Sequence, residues 1–111
     1  MTESQNSKYD LEGRSLRFAQ VIREYLKTTK IHPLQFDDAK QLIRSSGSIA
    51  ANYIEANQGL SKKDFVMRIK ICRKESKETI LWLRLLDAST SFVQEATELM
   101  KIFGAILEKS K

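Results

Sequence analysis

Side chains able to do chemistry are scarce in this sequence, and those present lack the partners they would need. The one histidine, His32, stands next to Pro33, and the one cysteine is Cys72. A thiol nucleophile needs a base within hydrogen-bond reach. Cys72 instead falls on an apolar helical face, where it reads as a small buried side chain, and His32 reads as a solvated turn residue. Glu75 and Glu78 are three residues apart, as in half of a carboxylate di-metal centre, but the Glu-x-x-His motif of such bundles is missing. The stretch LIRSSGSIAANYIEAN, residues 42–57, has a Ser-Ser-Gly-Ser middle that suggests a phosphate-cradling turn. A P-loop would need a Gly-Lys-Ser ending, which is missing. No catalytic, cofactor-binding or metal-ligating residue is expected, and the chain is not expected to be an enzyme.

Charge is where the sequence is informative. Residues 62–84 hold Lys62, Lys63, Arg68, Lys70, Arg73, Lys74, Lys77 and Arg84, eight of the nineteen basic residues. Lys63, Lys70, Lys77 and Arg84 recur every seven residues. On a helix these four, with Arg73 and Lys74, span about 100° of the circumference. A continuous line of cations on a rigid rod can follow a phosphate backbone. No Asn or Gln accompanies the arginines as a base-edge reader, so binding there would be electrostatic and weakly sequence-specific. The bland alternative is a solvated helix face. Interspersed acids usually neutralise such a face, whereas Glu75 and Glu78 fall on a different side.

The elements that must position these residues follow from composition and periodicity. The chain has 111 residues, 41% hydrophobic and 30% charged, with one Pro and four Gly. That is enough for one domain with a core of its own, and Leu, Ile, Ala, Lys, Glu and Arg are helix formers. Residues 1–9 are polar and expected to be flexible; residues 10–111 are expected to form a single domain. From Asp10, a reasonable N-cap, Leu11, Phe18, Ile22, Tyr25 and Leu26 recur at helical spacing to about Lys30, and His32-Pro33 breaks the pattern. A second helix starts after Pro33, with Asp37 and Asp38 at the positive end of its dipole and Gly59 as its C-cap. Ser61 and Asp64 resemble a capping box for a third helix reaching about Asp87. Ser91 and Gln94 can cap a fourth, whose apolar positions are Phe92, Ala96, Leu99, Phe103, Ile106 and Leu107. Short connections make neighbours antiparallel. The expected fold is all-α, an antiparallel up-down-up-down four-helix bundle.

Residues 42–57 then read as one helix rather than a loop. Leu42, Ser46, Ile49, Tyr53 and Ala56 share a face at about 100° per residue, and the periodicity runs cleanly through the Ser-Ser-Gly-Ser middle. Gly47 costs about 1 kcal/mol relative to Ala in a helix. The compensating gain would be close approach of another backbone at Ser45, Ser46, Gly47, Ala50 and Ala51, within the bundle or between subunits. Arg44, Ser48, Asn52 and Glu55 form a polar stripe that could serve partners on another helix.

The third helix carries a second apolar strip, Met67, Ile71, Trp82 and Leu85, with Glu75 and Glu78 beside it. A lone bundle needs one buried stripe per helix, so a second strip implies a second contact surface. Glu75 and Glu78 would there meet Arg44 or Lys74 of a neighbour. The expected subunit interface is Arg44, Ser48, Asn52, Glu55, Met67, Ile71, Glu75, Glu78 and Trp82.

Net charge is +5 with a pI near 9.4, which permits a polyanionic partner. A lone cysteine allows no intramolecular disulfide. The opening MTESQNSKYD is no secretory signal, and no apolar run approaches the roughly 20 residues of a membrane span. A cytoplasmic protein with no membrane partner is expected.

The blocks RSSGSIAAN, EANQGLSKKDF and RKESKETILWLRLL, with the opening LRFAQVIREYL, resemble the bacterial four-helix bundle family of 23S rRNA intervening-sequence proteins, in order and over nearly the whole chain. The genes of that family were first noticed inside insertions in large-subunit rRNA genes. The resemblance implies assembly as a ring, a homopentamer, and no enzyme activity or cofactor. Related proteins accompany diversity-generating retroelements, where they bind nucleic acid and a reverse transcriptase. The expected function is that of an oligomeric accessory protein binding RNA or DNA through Lys63, Lys70, Arg73, Lys74, Lys77 and Arg84. The alternative is a scaffold whose basic strip docks an acidic protein.

Overall fold

The computed structural model describes residues 10–111; the expectation for residues 1–9 lies outside the described residues. The order is α1 (Leu11–Thr28), a 3-10 turn (Pro33–Gln35), α2 (Phe36–Ala56), α3 (Lys62–Leu85) and α4 (Thr90–Lys109). The chain is all-α with four helices, and no strand occurs among the described residues.

The ends of the helices show how local chemistry sets their limits. Asp10 sits at the N-cap of α1 without making a side-chain cap bond. The Pro33 break is a full 3-10 turn, and the lone histidine caps it: His32 Nδ1 accepts from the Leu34 amide at 3.1 Å. α2 runs unbroken through Ser45–Ser48, so the small-residue segment is helix. The C-cap of α2 is Asn57 rather than Gly59; Gly59 takes φ +72° two residues later, a left-handed conformation that glycine adopts without penalty. Ser61 Oγ accepts from the Asp64 amide at 3.0 Å.

Two further boundaries differ from expectation. α3 stops at Leu85 because Asp87 enters the left-handed region, φ 55°. The Ala88 amide then donates to the Leu83 carbonyl and the Asp87 amide to the Arg84 carbonyl, closing the last turn as a Schellman motif. The cap of α4 is Ser89 rather than Ser91, its Oγ accepting from the Ser91 amide at 3.2 Å.

Each helix turns one apolar stripe inward. Phe18, Ile22, Leu42, Ile49, Tyr53, Ile69, Cys72, Leu83, Leu99 and Phe103 are buried in one cluster. Tyr53 and Phe103 meet with ring centroids 6.0 Å apart. α2 and α3 share a long seam along which residue numbers rise on one helix as they fall on the other. Gln35 Nε2 donates to the Leu85 carbonyl, Ser45 and Thr79 hydroxyls meet at 2.8 Å, Cys72 Sγ donates to the Ile49 carbonyl, and Arg68 donates to Asn52. α1 reaches α4 through Arg14, which bonds Glu95 at 2.7 and 2.8 Å and Glu98 at 2.7 Å. The Glu95 hydrogen bonds, more than the Glu98 one, hold its guanidinium more firmly protonated than usual against the opposing effect of burial.

Gly47 is approached by a side chain, not by the backbone expected from the run of small residues. A Cβ there would lie 2.9 Å from Arg23 Nη2. The Arg23 guanidinium lies across α2, donating to the Ile43 carbonyl at 3.0 Å and Ser46 Oγ at 3.3 Å. Ser45 and Ser46 are buried, Gly47 and Ala50 are partly buried, and Ala51 is exposed.

Candidate nucleic-acid interface

α3 is a rod of 24 residues without Gly or Pro. It holds Lys63 and Arg84 about 32 Å apart along its axis, at about 1.5 Å per residue. Lys63, Lys70, Arg73, Lys74, Lys77 and Arg84 are all exposed, because the opposite side of α3, with Ile69, Cys72, Ser76, Thr79 and Leu83, is wholly buried. Among the described residues only Lys74 of these six has an ion-pair partner, Glu75 Oε2 at 3.7 Å. Arg73 extends toward α4, where a Cβ at Gly104 would lie 3.8 Å from its Nε. Arg68 belongs elsewhere, bonded to Asn52 at 3.0 Å and lying 4.0 Å from Asp64. Near the start of the strip, Lys62, Lys63, Val66, Met67 and Lys70 line an open depression. Such a surface offers point charges to phosphates, with an apolar edge at Met67.

The residues expected at a subunit interface divide into two groups. Arg44 does not wait for a neighbour: within the chain it bonds Glu75 at 3.2 and 3.4 Å and Glu78 at 2.9 Å. The physical reason is burial. The Glu75 side chain is only 6% exposed, and a buried carboxylate needs a partner at hand. The Glu75 hydrogen bonds are the chief cause that raises the pKa of Arg44. Ser48 and Asn52 are also engaged within the chain, Asn52 Nδ2 donating to the Ser48 carbonyl and Oγ, each at 2.9 Å. Trp82, expected to be exposed, packs partly buried against the core, and Ile71 is half-buried. Met67 and Glu55 remain exposed.

Sequence reasoning missed a second set of outward apolar side chains. Leu16, Leu34, Phe36, Ile43, Ile54, Leu60 and Leu81 are exposed. The signal for part of it was available: Phe36, Ile43, Gly47, Ala50 and Ile54 recur at helical spacing beside the stripe that was recognised.

Burial pushes the Cys72 thiol up to about 12, so it stays protonated at neutral pH. Among the described residues no group of three or more His, Cys, Asp or Glu side chains is placed to hold a metal ion. No helix there is long and apolar enough to cross a membrane.

The model of the 23S rRNA-intervening sequence protein family matches residues 8–108. The chain belongs to that family. Among solved structures, it is similar to a protein of unknown function from the S23 ribosomal protein family of Bacteroides thetaiotaomicron. Identity is 33% with a TM-score of 0.78, over 87% of this chain and 97% of that one. No curated protein matches the chain. The family match takes in α1, α2 and α3 whole and α4 to its last residue but one, so the exposed α3 surface lies within it.

Proposed function

We propose that this member of the family is a non-enzymatic, self-associating bundle, its helices running up-down-up-down, that binds RNA or DNA in the cytoplasm. The observation that carries the reading is the line of six exposed cations on α3, of which only Lys74 has a carboxylate partner among the described residues. Phosphate contacts of that kind hold nucleic acid without reading its sequence. Assembly as a pentameric ring would repeat the strip in every subunit, so modest contacts add through multivalency.

A second reading has its own observation. Met67, Leu81 and Leu85 are exposed on α3 close to the cations, and a mixed apolar and basic face also suits an acidic protein, such as a nucleic-acid enzyme of the reverse transcriptase kind. Material that co-purifies with the chain separates the two. RNA or DNA released by nuclease digestion supports the first reading; an acidic protein that survives nuclease treatment supports the second.

A further inference from the structure

We infer that α4 completes the basic surface of α3, so that Arg73, Lys77 and Lys101 form one seat for a phosphate backbone along the groove between the two helices. This seat rests on the nucleic-acid reading proposed above and adds to it a residue outside α3. Arg73 sets the register: its Nε lies 3.8 Å from where a Cβ at Gly104 would stand. At the other end, α3 and α4 are joined by the short connection of residues 86–89. Residue numbers therefore fall on α4 as they rise on α3. One turn from Arg73 toward the connection is Lys77, and one turn from Gly104 toward it is Lys101. The two lysines stand at one level, on opposite rims of a groove whose floor a glycine keeps low.

All three cations are exposed, and none has an ion-pair partner among the described residues. The carboxylates of both helices are committed elsewhere. On α3, Asp64 lies by Arg68, and Glu75 and Glu78 are bonded to Arg44. On α4, Glu95 and Glu98 hold Arg14 of α1, and Glu108 pairs with Lys111 at 3.1 Å. Asp87 belongs to the connection, at the far end of the groove from Gly104. Cations held on both rims of a groove with no carboxylate between them repel one another, and an anion seated there relieves the repulsion.

The groove also lacks what a protein partner would use. A protein contact draws on an apolar centre. α4 carries none of the exposed large apolar side chains, and those of α3 are Met67, Leu81 and Leu85. By the helix wheel Arg73, Lys77 and Arg84 are turned toward α4, away from that apolar line. What the groove offers is charge alone, and a phosphate backbone presents charge in a regular row. Arg84 continues the row about 10 Å beyond Lys77.

The test uses the full chain and a short labelled DNA duplex of mixed sequence. Affinity is read by fluorescence anisotropy across a salt series, and helicity by circular dichroism. Lys101→Gln is expected to shrink the logarithmic salt slope by about 0.9, one phosphate contact. Lys109→Gln makes the same change of charge on the same helix, about 80° further round toward α1, and is expected to leave the slope as it is. Gly104→Glu keeps every cation and sets a carboxylate beside Arg73. Its slope is expected to be smaller by about 0.9 than that of Gly104→Gln, which has the same size and no charge. The inference is overturned, with the reading of α3 left standing, if wild type binds and Lys101→Gln behaves as Lys109→Gln does, or if Gly104→Glu and Gly104→Gln bind alike. Polyglutamate that displaces the duplex as well as unlabelled duplex does, at equal charge, would assign the groove to an acidic protein and overturn it too. No binding by wild type at low salt overturns the nucleic-acid reading itself, and the inference with it.

Discussion

Arg44 on α2 and Glu75 on α3 form an ion pair in which one member is nearly half exposed and the other is buried, with side-chain exposures of 47% and 6%. Glu78 joins from one turn further along α3, its Oε1 2.9 Å from Arg44 Nη2. The asymmetry fixes how the pair contributes. Little is gained from an exposed cation in water, but removing it leaves a buried carboxylate with only Lys74 Nζ, 3.7 Å away, as a cation partner, which is costly.

Arg44→Ala is accordingly expected to lower the stability of the fold by about 1–3 kcal/mol, the cost of leaving a buried polar group short of partners, because Lys74 still offsets part of the Glu75 charge. Glu75→Gln, which removes the charge and keeps the shape, should cost less. Arg44→Met combined with Glu75→Met should come closer to wild type than Arg44→Ala does, since apolar replacements of a buried pair are often neutral. Urea unfolding of the three variants checks the order; equal losses in Arg44→Ala and the double variant would contradict it.

Gly47 and Arg23 should be coupled. An added Cβ at Gly47 meets Arg23 Nη2 at 2.9 Å, so Gly47→Ala sets a helix-propensity gain of about 1 kcal/mol against displacement of a guanidinium that bonds Ile43 and Ser46. A net change near zero is expected in the wild-type background. In an Arg23→Ala background the clash is gone, and Gly47→Ala should stabilise by about 1 kcal/mol. A double-mutant cycle in urea measures this; simple additivity of the two changes would show that Arg23 does not govern residue 47.

The helices were legible in the sequence because their apolar residues keep one period for many turns. Leu42, Ile49, Tyr53 and Ala56 marked the inward side of α2 straight through the Ser-Ser-Gly-Ser segment, and all four are buried. Lys63 to Arg84 could be placed on one exposed side of α3 by the same reasoning. What periodicity does not carry is the partner of a polar group. Arg44 and Glu75 are 31 residues apart, and only the packing of α2 on α3 brings them together. The same holds for Arg23 over Gly47. Trp82 was misplaced because a wheel gives a direction, not a depth: a large ring on the flank of the buried stripe reaches the core where a smaller side chain would stay at the surface. The end of α3 was missed because Asp87 is an uncommon left-handed residue where glycine is the usual signal.

The alkaline limb of stability should carry the signature of Cys72. Its thiol is pushed from an ordinary value of 9.0 up to about 12 by burial. A raised folded pKa contributes stability fully present below the unfolded value and lost as pH rises through the folded one. Above pH 9 the unfolded chain releases the thiol proton while the folded chain keeps it, so stability falls by about 1.4 kcal/mol per pH unit from this group. Unfolding at pH 8 and pH 10 should therefore show a steeper loss in wild type than in Cys72→Ala, by about 1 kcal/mol. Parallel behaviour of the two proteins would mean that the thiol is not sequestered. Alkylation of Cys72 in the folded chain at neutral pH should likewise be slow.

Binding of generic RNA and DNA across a salt series tests the phosphate-tracking role of α3 most directly. Affinity should fall linearly on logarithmic axes, with a slope of about −0.7 to −0.9 for each phosphate contact. Lys77→Glu combined with Arg84→Glu removes two contacts on the side of the strip away from the apolar line, so the slope should shrink by about 2 while helicity and particle size are kept. Lys109→Glu, exposed at the end of α4, should leave the slope nearly unchanged. Absence of binding at low salt, or an equal loss from Lys109→Glu and from the double variant, would contradict a nucleic-acid site on α3.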